Sequence, residues 1–180
     1  MARSASGVEL LGMTGTADGP EMDLIRDAVT DAQARVRFFR LAFGAANAQQ
    51  LTSPREAIGT LEGYYRTSRL SPALSVTRDL PRREVKLAYL MALCADRALP
   101  MGGTLAFEAT GPGAWQLMAE GPRLVLDEPL WSVLRFGAGG AGRALRPAEV
   151  QFLALHTLAE DMNLTINFVA DEPVLRMATR

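Results

Sequence analysis

Between Pro20 and Ala46 the chain reads PEMDLIRDAVTDAQARVRFFRLAFGAA, its longest stretch with one uninterrupted helical pattern. Met22, Ile25, Val29, Ala32, Val36, Phe39 and Phe43 recur at alternating steps of three and four. That spacing is the seam of a helix lying nearly parallel to another. Glu21, Asp23, Asp27 and Asp31 occupy its first half and Arg35, Arg37 and Arg40 its second, a distribution that complements the helix dipole. Each seam side chain stabilises by about 1 to 3 kcal/mol when fully buried, too much apolar surface to leave in water. The seam therefore requires a partner helix, from this chain or from a second copy of it.

The 180 residues suffice for one ordinary domain, or for a helical piece followed by a domain of about 130 residues. A formal net charge of -1, with 48% apolar and 22% charged residues, describes a globular chain with no basic excess to displace phosphate counterions. Nucleic acid is therefore not an expected partner. No apolar run reaches the length of a bilayer span, and MARSASG lacks the apolar core of a signal peptide. The lone cysteine, Cys94, suits a reducing compartment, so a cytoplasmic protein is expected. One histidine and one cysteine leave no cluster for structural zinc.

In chain order, Gly7–Met13 (GVELLGM) reads as the last turns of an earlier helix, antiparallel to the long one, and Asn47–Thr52 as a polar linker. This divides the chain into a helical hairpin, residues 1–50, for dimerisation and docking, and an α/β unit, residues 51–180. Ser53-Pro54-Arg55-Glu56 is a capping box opening a helix with Ile58, Leu61 and Tyr65 inward. Leu70–Thr77 carries a short strand signal, and Pro81 begins a central helix that is apolar on nearly every side from Leu87 to Ala95. Thr104–Ala109 and Ala114–Gly121 read as a hairpin, Asp127 opens a helix or loop, Pro147 a third helix, and Asn163–Ala170 and Val174–Ala178 the last strands. Helices on one face of a mixed sheet, an α/β sandwich, accommodate this order.

Gly137, Gly139 and Gly142 have dinucleotide-loop spacing, but Pro147 interrupts the helix that should open there, and Glu160 and Asp161 stand at a helix end. The segment is read as a flexible surface loop. His156, flanked by Leu155 and Thr157, is read as a packing or surface histidine with no orienting carboxylate assigned to it. Cys94 is read as a small core residue.

The order helix, strand, helix ending at P-x-G-G-T (Pro100–Thr104), strand, hairpin, helix, strand resembles the ATP-binding domain of sensor histidine kinases, the Bergerat fold. The resemblance places Cys94 where those kinases keep a magnesium-binding asparagine, and a buried thiol is a poor ligand for Mg²⁺. It sets Ala119, Glu120, Gly121, Pro122 and Arg123 against D-x-G-x-G, replacing the adenine-binding aspartate by alanine. The later phosphate-facing glycines fall near Glu149 and Gln151, and a carboxylate there repels phosphate. The implied domain keeps the kinase fold without binding ATP, and is neither ATPase nor kinase.

A degenerate domain of that kind behind a helical hairpin resembles the bacterial histidine phosphotransferase ChpT family. GVELLGM and, more diagnostically, ARVRFFRLAFGAA at Ala34–Ala46 carry the likeness. It implies an α+β chain whose hairpins form a dimeric four-helix bundle, Met22, Ile25, Val29, Ala32, Val36, Phe39 and Phe43 being the bundle seam. It further implies phosphoryl passage between the receiver domains of a hybrid kinase and of cell-cycle response regulators. Transfer would run from aspartyl phosphate to an imidazole nitrogen, with no cofactor of the chain's own and Mg²⁺ supplied by the receiver. The family's acceptor histidine lies upstream of the position matched by Gly7, where Met1–Ser6 hold no histidine or aspartate. No catalytic, cofactor-binding or metal-binding residue is therefore assigned. Arg37, Phe38 and Leu41 are the expected docking surface, and a non-catalytic dimeric docking module is the second reading.

Overall fold

The structure is a computed structural model that describes residues 19–47 and 49–180. The expected first arm at Gly7–Met13 lies outside the described residues. The long helix, α1 (Pro20–Ala42), starts with proline in its first turn beside Glu21 and Asp23 and ends beside Arg40. At 1.5 Å per residue it is about 35 Å long. Its buried residues are Ala34, Phe38, Leu41 and Ala42, all in its second half.

The linker expected over Asn47–Thr52 is partly a strand. Asn47 Oδ1 accepts from the amides of Gln49 and Gln50, both at 3.0 Å, and turns the chain. Leu51–Thr52 (β1) then pairs antiparallel with Leu80–Pro81 (β3). α2 (Pro54–Tyr65) opens on the cap read in the sequence, Ser53 Oγ accepting from Glu56 N at 3.2 Å. β2 (Leu70–Ser75) follows, then α3 (Arg82–Ala98), in which Leu87 through Ala95 are all buried. Such a helix must lie between layers.

The main sheet has the order β2-β4-β5-β7-β6, formed with β4 (Gly103–Gly111), β5 (Ala114–Glu120), β6 (Ile166–Asp171) and β7 (Val174–Thr179). Only β2 and β4 are parallel, as their connection through α3 requires; the other pairs are antiparallel. Trp115, Leu117 and Ala119 of β5 and Leu175 and Met177 of β7 point into the core, while Gln116, Met118, Glu120 and Arg176 face solvent. One face of the sheet is therefore covered by helices and the other is open, the mixed α/β arrangement expected. Gly102 and Gly103, at φ +85° and +148°, make the turn from α3 into β4. A Cβ on either would lie within 2.4 Å of a backbone oxygen, of Arg69 or Glu120, so these glycines serve packing.

After β5, Asp127 caps α4 (Glu128–Phe136) by accepting from Leu130 N. The glycine-rich segment is not the expected loop: Gly137–Ala141 is a 3₁₀ helix with Ala141 buried. A Cβ on Gly140 would stand 2.5 Å from the carbonyl oxygen of Ser132, so only glycine lets this turn lie against α4. The expected helix from Pro147 is divided into a 3₁₀ turn, Pro147–Glu149, and α5 (Val150–Asp161).

Candidate functional site on the long helix

α1 has two apolar faces with different fates. Phe38 is fully buried, stacked on Tyr64 at a centroid distance of 3.9 Å and on Tyr89 at 4.8 Å, with interplanar angles of 16° and 4°. One ring of α1 thus lies between α2 and α3, and Tyr89 Oη donates to the Ala57 carbonyl oxygen at 2.6 Å to fix the far side of the stack. Leu41 and Ala42 are buried beside it. This corrects the expected docking surface: Phe38 and Leu41 belong to the chain's own core, and of the three named residues only Arg37 is exposed.

The seam residues stand on the other face. Ile25 is 48% exposed, Phe39 42% and Phe43 39%. Ala32 is exposed as well, and Met22, Val29 and Val36 are half-buried. Phe39 packs only at its edge against Tyr64, at 5.6 Å and 78°, and tilts toward Phe43 at 6.0 Å. Leu24, 70% exposed, extends the apolar surface. Single exposed apolar residues are ordinary, but a stripe running the length of a helix is a surface built for contact.

Between α1 and α2 runs a trench of about 740 Å³. Among the described residues Arg37, Arg40, Arg55, Arg66 and Arg82 line it, and Glu56 is the only carboxylate residue in the lining. Arg66 is paired with Asp31 of α1 across the helix pair. The gathering of these five arginines depends on α2 lying alongside α1, which no local pattern encodes.

Cys94, Ala119 and Glu149, at positions the resemblance sets against the nucleotide site of kinases, lie in the interior of this fold. Cys94 is fully buried, and burial pushes its thiol well above its ordinary pKa. Ala119, the position the resemblance sets against the kinases' aspartate, is fully buried, while Arg123 is exposed. Glu149 is enclosed, with no exposed surface. Arg143 grips its carboxylate with two bonds of 2.8 and 3.1 Å, Arg146 Nε adds one of 2.8 Å, and the Arg146 amide one of 2.9 Å. The Arg143 and Arg146 guanidinium groups hold the Glu149 carboxyl far below the usual carboxylate range. Among the described residues no three His, Cys, Asp or Glu side chains gather as a metal site.

His156 is a half-buried packing residue, and it does have a carboxylate partner that the sequence reading missed. Its Nδ1 donates to the Leu134 carbonyl oxygen at 3.2 Å, and Nε2 lies 3.3 Å from Glu160 Oε2, one turn along α5. The i,i+4 spacing of His156 and Glu160 was the available signal.

Three comparisons bear on this geometry. The family described as histidine phosphotransferase C-terminal domain matches residues 54–174. Protein phosphotransferase ChpT of Brucella abortus (strain 2308) is 35% identical over 108 residues, covering 59% of this chain and 51% of that protein. The chain thus spans about half the length of that relative. A bacterial phosphotransferase solved at 1.7 Å superposes with a TM-score of 0.75 at 25% identity, covering 97% of this chain and 85% of the other. No helix among the described residues is long and apolar enough to cross a membrane.

Proposed function

Because the chain belongs to the histidine phosphotransferase family, we propose that it works in a phosphorelay of ChpT type, where phosphoryl groups pass between receiver domains of a hybrid kinase and of response regulators. In this reading the α1 stripe from Met22 to Phe43 pairs two copies into a helical bundle, and the receivers dock against that bundle. The observation that carries it is the division of α1: Phe38 locks one face into the chain's own core while Ile25, Phe39 and Phe43 stay outside it. A helix anchored in this way holds its outer stripe at a fixed angle for a partner. The α/β unit then serves as a rigid support, and nucleotide has no part in its work. Buried Cys94, buried Ala119 and the sequestered Glu149 carboxylate support that part of the reading. Mg²⁺ comes with the receiver.

A second reading, a non-catalytic dimeric docking module, is favoured by one fact: the only histidine in the 180 residues is His156, half-buried on α5 and engaged by Leu134 and Glu160. One experiment addresses both. The receiver domain of a hybrid kinase is loaded with labelled acetyl phosphate and mixed with this chain. Complex formation is expected on either reading, and label left on the receiver would favour the docking module. Acid-labile label on this chain would replace the docking reading by transfer, and the absence of any complex would contradict both.

A further inference from the structure

The arginine-lined trench between α1 and α2 has no role in pairing the helices, since the apolar stripe lies on a different face of α1. Its lining runs from Thr30 to Leu41 along one helix and from Ser53 to Arg66 along the other, about 16 to 20 Å at helical rise. Among the described residues the only buried ones in the lining are Ala34 and Leu41, and every polar one is exposed or partly exposed. Nothing there is built to enclose a small ion. The floor is made of small residues. Gly63 lies against Ala34, where a Cβ would meet the Ala34 methyl at an ordinary 3.5 Å, and a Cβ on Gly59 would meet nothing within 4 Å. The two glycines are one helical turn apart on the same face of α2, and small residues at that spacing let a third backbone approach closely.

The charge around this floor is one-sided. Among the described residues Arg37, Arg40, Arg55 and Arg82 have no carboxylate within 4.0 Å, and only Arg66 is paired. A chain with a net charge of -1 has thus concentrated five arginines along one trench. We propose that the trench is a docking site for an acidic α-helix of a partner protein, three to four turns long, with small residues over Gly59 and Gly63 and carboxylates on both flanks reaching the arginines. Arg is suited to such flanks because its planar fork binds carboxylates two bonds at a time. The proposal does not depend on phosphoryl transfer and survives if that reading fails.

The probe is a fluorescein-labelled, 18-residue alanine-based helical peptide with glutamates on both flanks of an alanine face, followed by anisotropy. Binding is expected, and it should vanish for the same peptide with glutamine in place of glutamate. Gly59→Leu should weaken it about tenfold or more by filling the floor, while raising thermal stability because glycine is a poor helix former. Arg40→Glu combined with Arg55→Glu should abolish it, and Arg123→Glu with Arg176→Glu, on other surfaces, should leave it unchanged. The proposal is overturned if the helical peptide does not bind or if Gly59→Leu leaves its affinity unchanged. It is equally overturned if pyrophosphate or a proline-broken acidic peptide competes as well as the helical one, or if the trench variants change the oligomeric state.

Discussion

Phe38, its ring held between two tyrosines, anchors α1 to the rest of the molecule together with buried Leu41 and Ala42. Removing a fully buried aromatic of this kind costs about 3 to 5 kcal/mol, so Phe38→Ala is expected to lower the denaturation midpoint severely. Phe39→Ala, one residue on and 42% exposed, should change monomer stability little; equal losses in chemical denaturation would refute the two-face account. Glu149 gives a pH-dependent counterpart. Its folded pKa is depressed by Arg143 and Arg146, so the stability it contributes is present above the unfolded carboxylate value, about 4.3, and is lost as pH falls toward the folded value. Glu149→Gln should therefore lower the melting temperature at pH 7, and its gap from the unchanged protein should close as the pH drops below about 4. A gap independent of pH would show that packing, not charge, is what the substitution removes.

At the scale of elements, the seam of α1 was legible because its three-four spacing runs through seven residues without a break. The second face was legible too but was passed over: Ala34, Phe38 and Leu41 are spaced by four and three. The sequence places Phe38 and Leu41 on an expected docking surface, whereas tertiary packing buries both. The strands were easier, since β5 and β7 alternate strictly and face an open side. The 3₁₀ turn at Gly137–Ala141 was not legible, because Gly140 answers to the close approach of Ser132 on α4 and Gly137 to that of His156 on α5. If the outer stripe pairs two copies, Ile25→Glu with Phe39→Glu should yield a folded monomer by analytical ultracentrifugation. A dimer that persists would move the pairing surface elsewhere.

Over the whole molecule, what sequence alone conveyed was the order of elements. It could not convey which side chains meet across elements, so the trench between α1 and α2 and the Glu149 clamp emerged only in three dimensions. Both fit the proposal that the α/β unit supports a contact surface and takes no part in nucleotide chemistry. The most direct test of that claim is calorimetric titration of the full chain with ATP and Mg²⁺. The account predicts no saturable heat; a stoichiometric isotherm with an affinity on the order of micromolar, about -8 kcal/mol of binding free energy, would contradict it.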